Sequence, residues 1–197
     1  RLADRQRLEP GWMIELAGAI ARLHAAAEPR PDRGGRDGMA WVVDGNARAF
    51  AEASGVFAAG VRDRVLRETR ATLARQAERL EARRLAGRVR WCHGDLHLRN
   101  ICLIEGRPTL FDAVEFNEAI SCIDVGYDVA FLLMDLWHRG LRLHANLVFN
   151  EYVTQTADLD ALPLLPLFLS CRAAVRAKTS AAASAVQPDP ARAAELR

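Results

Sequence analysis

Gly87 separates two kinds of hydrophobic pattern, and that change of period sets the fold class. Before it, Trp12, Leu16, Ile20 and Leu23 recur at spacings of four, four and three, which is one face of an amphipathic helix over residues 12–27. Val61, Val65, Leu73 and Leu80 form a similar stripe on a long helix from Val61 to Ala86, which Gly87 is placed to end. Residues 47–60, rich in alanine, read as a weaker helix between the two. After Gly87, Val89, Trp91 and Cys92, then Ile101 to Ile104 and Thr109 to Phe111, read as short strands. Glu105-Gly106-Arg107-Pro108 supplies the turn of a hairpin between the last two. Helical spacing returns over Val125 to His138, Leu143 to Thr156 and Leu162 to Ala185. The chain is therefore expected to be mainly α with a small β-hairpin.

The remaining segments bound the domain. Glu28 to Gly38 holds Pro29, Pro31, Gly34, Gly35 and Gly38 among charges and is expected to be an irregular loop. The 197 residues suit one core, assigned to residues 1–187, with residues 188–197 a frayed tail carrying Pro188 and Pro190. Glu78, Arg75 and Arg79 belong to a solvated face of the long helix. Only Lys178 among the 27 basic residues is a lysine, and the chain begins at Arg1, which suggests a piece of a longer protein.

Composition weighs against several classes of function. A net charge of +2, from 27 basic and 25 acidic residues spread along the sequence, gives no broad field for a nucleic-acid backbone. Cys92, Cys102, Cys122 and Cys171 have irregular spacings and apolar neighbours, as unpaired thiols of a reducing compartment do. The most apolar uncharged stretch, Ala161 to Cys171, is short of the roughly 20 residues that cross a bilayer and contains Pro163 and Pro166. A cytoplasmic protein without a membrane or nucleic-acid partner is the expectation.

Polar residues concentrate around the hairpin. His93-Gly94-Asp95-Leu96-His97-Leu98-Arg99-Asn100 lies between the first strand and the hairpin, and Asp112 closes the hairpin's return strand. A hairpin brings its two ends together, so Asp112 is expected beside Asn100 and near Asp95. One amide and two carboxylates in one pocket suit phosphoryl transfer, which needs hard oxygen ligands for Mg²⁺ and an acceptor for the proton of the attacking hydroxyl.

Asp95-Leu96, three residues and Asn100 have the spacing of the protein-kinase catalytic loop, with Gly94 in place of the kinase arginine, and Asp112 stands where the kinase Asp-Phe-Gly aspartate falls. With the His-Gly-Asp form, His97 and Asp128-Val129-Ala130 downstream, residues 12–180 resemble the aminoglycoside phosphotransferase-like family of kinase-like enzymes. Within it they are similar to a bacterial subgroup, some of whose members are fused to a P-loop ATPase domain. The resemblance implies the C-terminal (large) lobe of a protein-kinase-like fold, moving the γ-phosphate of ATP to a hydroxyl of a small molecule. It implies Asp95 as catalytic base, Asn100 and Asp112 as Mg²⁺ ligands, His93 and Gly94 as loop-shaping residues, and His97 near the transferred phosphate. It also implies that one of Asp124 and Asp128, which share a helix face, anchors the catalytic loop. A glycine-rich loop and strand lysine do not precede Asp95, so the small lobe is expected to lie outside this chain, which alone should be inactive.

Other readings accompany these. A catalytically inactive kinase-like scaffold is the alternative function. Cys92, His93, His97 and Cys102 are a zinc-type set, although Gly94 argues against the helix that would align the two histidines. Glu115, Phe116 and Asn117 face substrate or serve as turn and packing residues. Asp135, seven beyond Asp128, reads as one satisfied carboxylate of a buried helix, and Arg172, Arg176 and Lys178 as a solvated helix face.

Overall fold

The computed structural model describes residues 2, 3, 5, 7–53 and 58–186. It contains helices α1 (Pro10–Ala26), α2 (Gly35–Glu52) and α3 (Ala59–Leu85), strands β1 (Val89–Trp91), β2 (Ile101–Ile104) and β3 (Arg107–Leu110), and a single turn of helix α4 (Glu118–Ser121). Strand β4 (Cys122–Asp124) and helices α5 (Val125–His138), α6 (Arg142–Thr156) and α7 (Leu165–Val186) follow. Pro10 at the first turn of α1 lacks only a donor that would be unpaired there anyway. Gly87 stops α3 at φ +72°, a left-handed conformation that costs a glycine nothing.

The mainly helical reading and the hairpin hold. β2 and β3 pair antiparallel from Ile101 with Leu110 to Ile104 with Arg107, and Glu105 and Gly106 turn the chain at φ +52° and +78°. That two-residue turn matches the twist of the flanking strands. A second antiparallel pair was not foreseen: β1 joins β4, with Val89 opposite Asp124. The strand at β1 was expected, but its partner β4 is three residues long, too short for a period to register.

Three local expectations need correction. The irregular segment ends at Gly34, because α2 begins at Gly35 and runs to Glu52, so the alanine-rich helix starts well before residue 47. Its later part, residues 54–57, lies outside the described residues, as does the expected tail at 188–197. α7 starts at Leu165 and not Leu162, since Pro163 belongs to a 3₁₀ turn over Leu159–Leu164 and proline is tolerated only in a helix's first turn.

α5 is the central post of the molecule. Every residue from Val125 to Leu136 is buried, all of them apolar or small apart from the two carboxylates Asp128 and Asp135 and the Tyr127 hydroxyl. Val129, Leu132, Leu133 and Leu136 pack with Met13, Leu16 and Ile20 of α1 and Val148 and Tyr152 of α6. Val125, Tyr127 and Ala130 pack on the other side with Met39 and Val43 of α2, Leu80 of α3 and Phe168 of α7. The four cysteines are free, and among the described residues no helix is long and apolar enough to cross a membrane.

Candidate active site

The segment from His93 to Asn100 hangs on α5. Asp128, wholly buried, accepts the His93 and Gly94 backbone N–H groups at 3.2 and 3.0 Å, one on each oxygen. Two turns later Asp135 accepts the Leu98 N–H at 3.1 Å and the Arg139 guanidinium at 3.2 Å. Between these fixings Leu96 is fully buried in the α1 core, which is worth about 2 kcal/mol of apolar transfer. Gly94 sits at φ +80°, and a Cβ there would stand 3.2 Å from the Ile120 carbonyl oxygen and the Val114 side chain. Glycine is therefore required at the bend.

Two histidines shape the loop from inside. His93 joins it to the strand that returns from the hairpin: its ring Nε2 bonds the Phe111 carbonyl at 2.9 Å, and its own carbonyl accepts from Val114 N–H at 2.9 Å. His97 accepts the Arg99 N–H on Nδ1 at 3.2 Å, so Nε2 carries the hydrogen and faces Asp95 Oδ2 at 3.4 Å. The His97 ring is buried edge-on against Phe131, with centroids 5.2 Å apart. Sequence reasoning had placed it near a phosphate; its contacts here are with the Asp95 carboxylate and the loop.

Asn100 bonds Asp95 directly, and Asp112 follows the residue whose backbone bonds Asn100, as the hairpin argument requires. Asn100 donates Nδ2 to the Asp95 backbone carbonyl at 3.0 Å and to Asp95 Oδ2 at 2.9 Å, leaving its Oδ1 without a hydrogen bond among the described residues. The Phe111 N–H bonds the Asn100 carbonyl at 3.1 Å, which places Asp112 next to that pair. Asp112 is exposed, has no side-chain partner among the described residues, and holds φ +60°, a conformation that costs a non-glycine residue about 1 kcal/mol. Strain of this kind at a free carboxylate is a pointer to function. The His97 hydrogen bond is the main reason the Asp95 carboxyl lies below its ordinary value, with Asn100 and the Arg172 charge acting the same way and partial burial opposing them. Asp95 is thus held as an acceptor.

The remaining sequence candidates separate cleanly. Asp124 does not reach the loop. It caps α5 through the Gly126 N–H at 2.8 Å and takes a bidentate pair from Arg83 at 2.7 and 2.8 Å. Arg83 also grips Asp158 at 2.6 and 2.8 Å, so this one arginine of α3 is buried and departs from the solvated face expected of that helix. Asn117 caps α4 by accepting the Ala119 N–H at 3.0 Å, while Glu115 is exposed. The zinc-type set does not assemble among the described residues, since both histidine rings are engaged within the loop and the Cys92 thiol bonds the Ile123 carbonyl.

Two residues that sequence reasoning missed complete the site's support. His24 bonds Asp128 Oδ2 through Nε2 at 3.1 Å and the Tyr152 hydroxyl through Nδ1 at 2.9 Å. Its signal was present: His24 lies four beyond Ile20 and continues the buried stripe of α1. Arg172, assigned to a solvated face, is buried. It stacks on Tyr127 and Phe131 at 3.9 and 4.6 Å, donates to the Tyr127 and Gly94 carbonyls, and stands 3.6 Å from Asp128. Apolar neighbours on both sides, Phe168-Leu169 and Ala173-Ala174, were the available hint. Burial alone would raise the Asp128 pKa; the His24 hydrogen bond and the charges of His24, Arg172 and His93 outweigh it and bring it below its ordinary value.

Comparison with known proteins bears on this arrangement. The family model described as phosphotransferase enzyme family (APH) matches residues 2–165. Uncharacterized proteins from two strains of Mycobacterium tuberculosis and from Mycobacterium bovis are 34% identical over 86 residues, or 44% of this chain and 17% of theirs. The matched stretch thus spans about a sixth of those relatives. No solved structure matches.

Proposed function

The chain belongs to the phosphotransferase enzyme family, and from that and the geometry around Asp95 we propose that it is the C-terminal catalytic lobe of an ATP-dependent phosphotransferase acting on a small-molecule hydroxyl. The observation that carries the reading is the Asp95–Asn100 hydrogen bond beside a free, strained Asp112. One hydroxyl proton has an acceptor in Asp95. Asn100 Oδ1 and the Asp112 carboxylate are hard oxygen donors without other partners among the described residues, a set that fits Mg²⁺. Bound there, the cation would neutralise charge on the ATP phosphates. The acceptor oxygen attacks the γ-phosphorus as the bond to the β-phosphate oxygen breaks, ADP leaves, and the hydroxyl proton passes to Asp95. Asp128, Asp135, His24 and Arg172 are positioning residues in this scheme. The small lobe with its phosphate-binding elements, and a P-loop ATPase domain in the same natural protein, would come from sequence beyond this chain.

The test is phosphorus NMR of Mg-ATP with the complete natural protein across a panel of hydroxyl compounds. Asp95→Asn is expected to lower turnover at least ~100-fold, the lower range for loss of a general base. Near-normal turnover in that variant would overturn the assignment. Absence of both turnover and nucleotide binding in the unaltered protein would favour an inactive scaffold.

A further inference from the structure

The charges flanking Asp95 bear on the kind of acceptor, an inference that rests on the phosphotransferase reading. Arg172 and Arg176 are one turn apart on α7 and share a face. Arg172 enters the base of the loop, with Nη1 3.2 Å from the Gly94 carbonyl. Tyr127 lies against Phe168 and Phe131 against Arg172, so α5 and α7 run side by side in one direction, and the next turn carries Arg176 level with Asp135, which holds the Leu98 N–H beside Arg99.

Three acidic groups of this neighbourhood are already committed within the protein, and the fourth, Asp112, is the carboxylate assigned above to Mg²⁺. Asp128 is engaged by two backbone N–H groups and His24, with Arg172 beside it. Asp135 holds Leu98 N–H on one oxygen and Arg139 on the other. Asp95 is held by His97 and Asn100. Neither Arg99 nor Arg176 has an ion-pair partner among the described residues. Arg99 is exposed at the end of the loop, and with Arg139 it lines a cleft of about 700 Å³ that also contains Trp12, Leu98 and Phe111. Arg176 is half-buried, and burial first, then the Arg99 charge, lowers its pKa. A partly desolvated guanidinium next to like charges is unfavourable until an anion joins it.

We propose that Arg99 and Arg176 recognise an oxyanion on the acceptor, so that the substrate is a hydroxyl compound already bearing a phosphate or carboxylate group. Guanidinium forks match the planar, multidentate geometry of such groups. The same charges repel a polycation brought to Asp95, which disfavours polyamine acceptors. With the anion held by the arginines, a hydroxyl of the same molecule is presented to Asp95.

The experiment uses the complete natural protein with Mg-ATP and a matched set of acceptors: glucose, glucose 6-phosphate, gluconate and glucosamine. The two anionic sugars are expected to be the phosphorylated members, and the phosphate and carboxylate arms show which oxyanion is preferred. In Arg176→Gln and in Arg99→Gln, the KM for the anionic acceptor is expected to rise about 10-fold or more, the usual loss for one charge-assisted contact, with the KM for ATP unchanged. Equal use of glucose or glucosamine, or a rise in the KM for ATP in place of the acceptor's, would overturn the proposal by assigning the arginines to the nucleotide or to no ligand. Calorimetry with inorganic phosphate, without nucleotide, gives a readout independent of turnover. If no sugar is phosphorylated, phosphate binding that weakens about 10-fold in both variants supports the anion site and places the failure on the transfer reading. Phosphate binding that is absent, or unchanged in the variants, overturns the site itself. Arg99 is exposed, so Arg99→Gln carries the test should Arg176→Gln fail to fold.

Discussion

Asp124 and Asp128 stand one helical turn apart at the start of α5, both buried, each beside an arginine from another helix. Asp124 and Asp158 enclose the Arg83 guanidinium in a fully hydrogen-bonded cluster that ties α3 to α5 and to the turn before α7. Asp128 spends its oxygens on the backbone of the His93–Gly94 bend, with His24 and Arg172 around it. The chemistry of the two sites is nearly the same, and the difference lies in what is being held. The first joins helices that already share an apolar core; the second holds a loop whose shape places Asp95. Damage to the first is therefore expected to show in stability, and damage to the second in activity per folded molecule.

The largest expected effect tests the first site. Arg83→Leu leaves Asp124 buried without its cation and Asp158 with only Arg88, 3.9 Å away, and should destabilise the protein by about 3–5 kcal/mol in chemical denaturation. Turnover per folded molecule should stay near that of the unaltered protein at low temperature. A large loss of turnover without loss of stability would show that the helix cluster also shapes the loop.

Asp128→Asn tests the second site. The amide places a donor against groups that already donate, so a smaller destabilisation of about 1–3 kcal/mol is expected. Turnover should fall about 100-fold, the size of effect that follows a 1 Å displacement of a catalytic group. The pH dependence carries a sign. Because the folded-state pKa of Asp128 is lowered, its charge stabilises the fold above the ordinary aspartate value of about 3.9, and that contribution fades as pH falls below it through the folded value. Acid unfolding of Asp128→Asn should therefore show a shallower loss of stability below about pH 4 than the unaltered protein does. Equal slopes would remove Asp128 from the account.

The smallest effect sharpens the comparison inside the loop. His97→Ala removes the main cause of the lowered Asp95 pKa, so the Asp95 carboxyl should titrate at a higher pH, nearer the ordinary value of about 3.9, when followed by carbon NMR. Asp95 works as a base only when ionised, so the acid limb of the pH–rate profile should move upward with it. An unmoved titration would mean that Asn100 and Arg172 are sufficient.

Legibility followed distance along the chain. The long helices other than α2, the Glu105–Gly106 turn and the approach of Asp112 to Asn100 were readable because each depends on residues inside one element or one hairpin. The choice between Asp124 and Asp128 was not, since helical spacing gives both the same face and says nothing of what faces them. Asp135 and Arg172 were read as ordinary residues for the same reason. A carboxylate in a buried helix, and a cation on a long one, acquire a role only through the group opposite.

The sequence by itself determined the mainly helical class, the hairpin and the spacing from Asp95 through Asn100 to Asp112, because period, turn chemistry and short-range register are local properties of a chain. The tertiary structure alone decided that Asp128 holds the loop, that His24 meets it across 104 positions and that Arg172 is buried beneath Gly94 across 78. Those contacts depend on how α1, α5 and α7 pack around two apolar cores, and a buried charge is tolerated only where that packing delivers a partner to it.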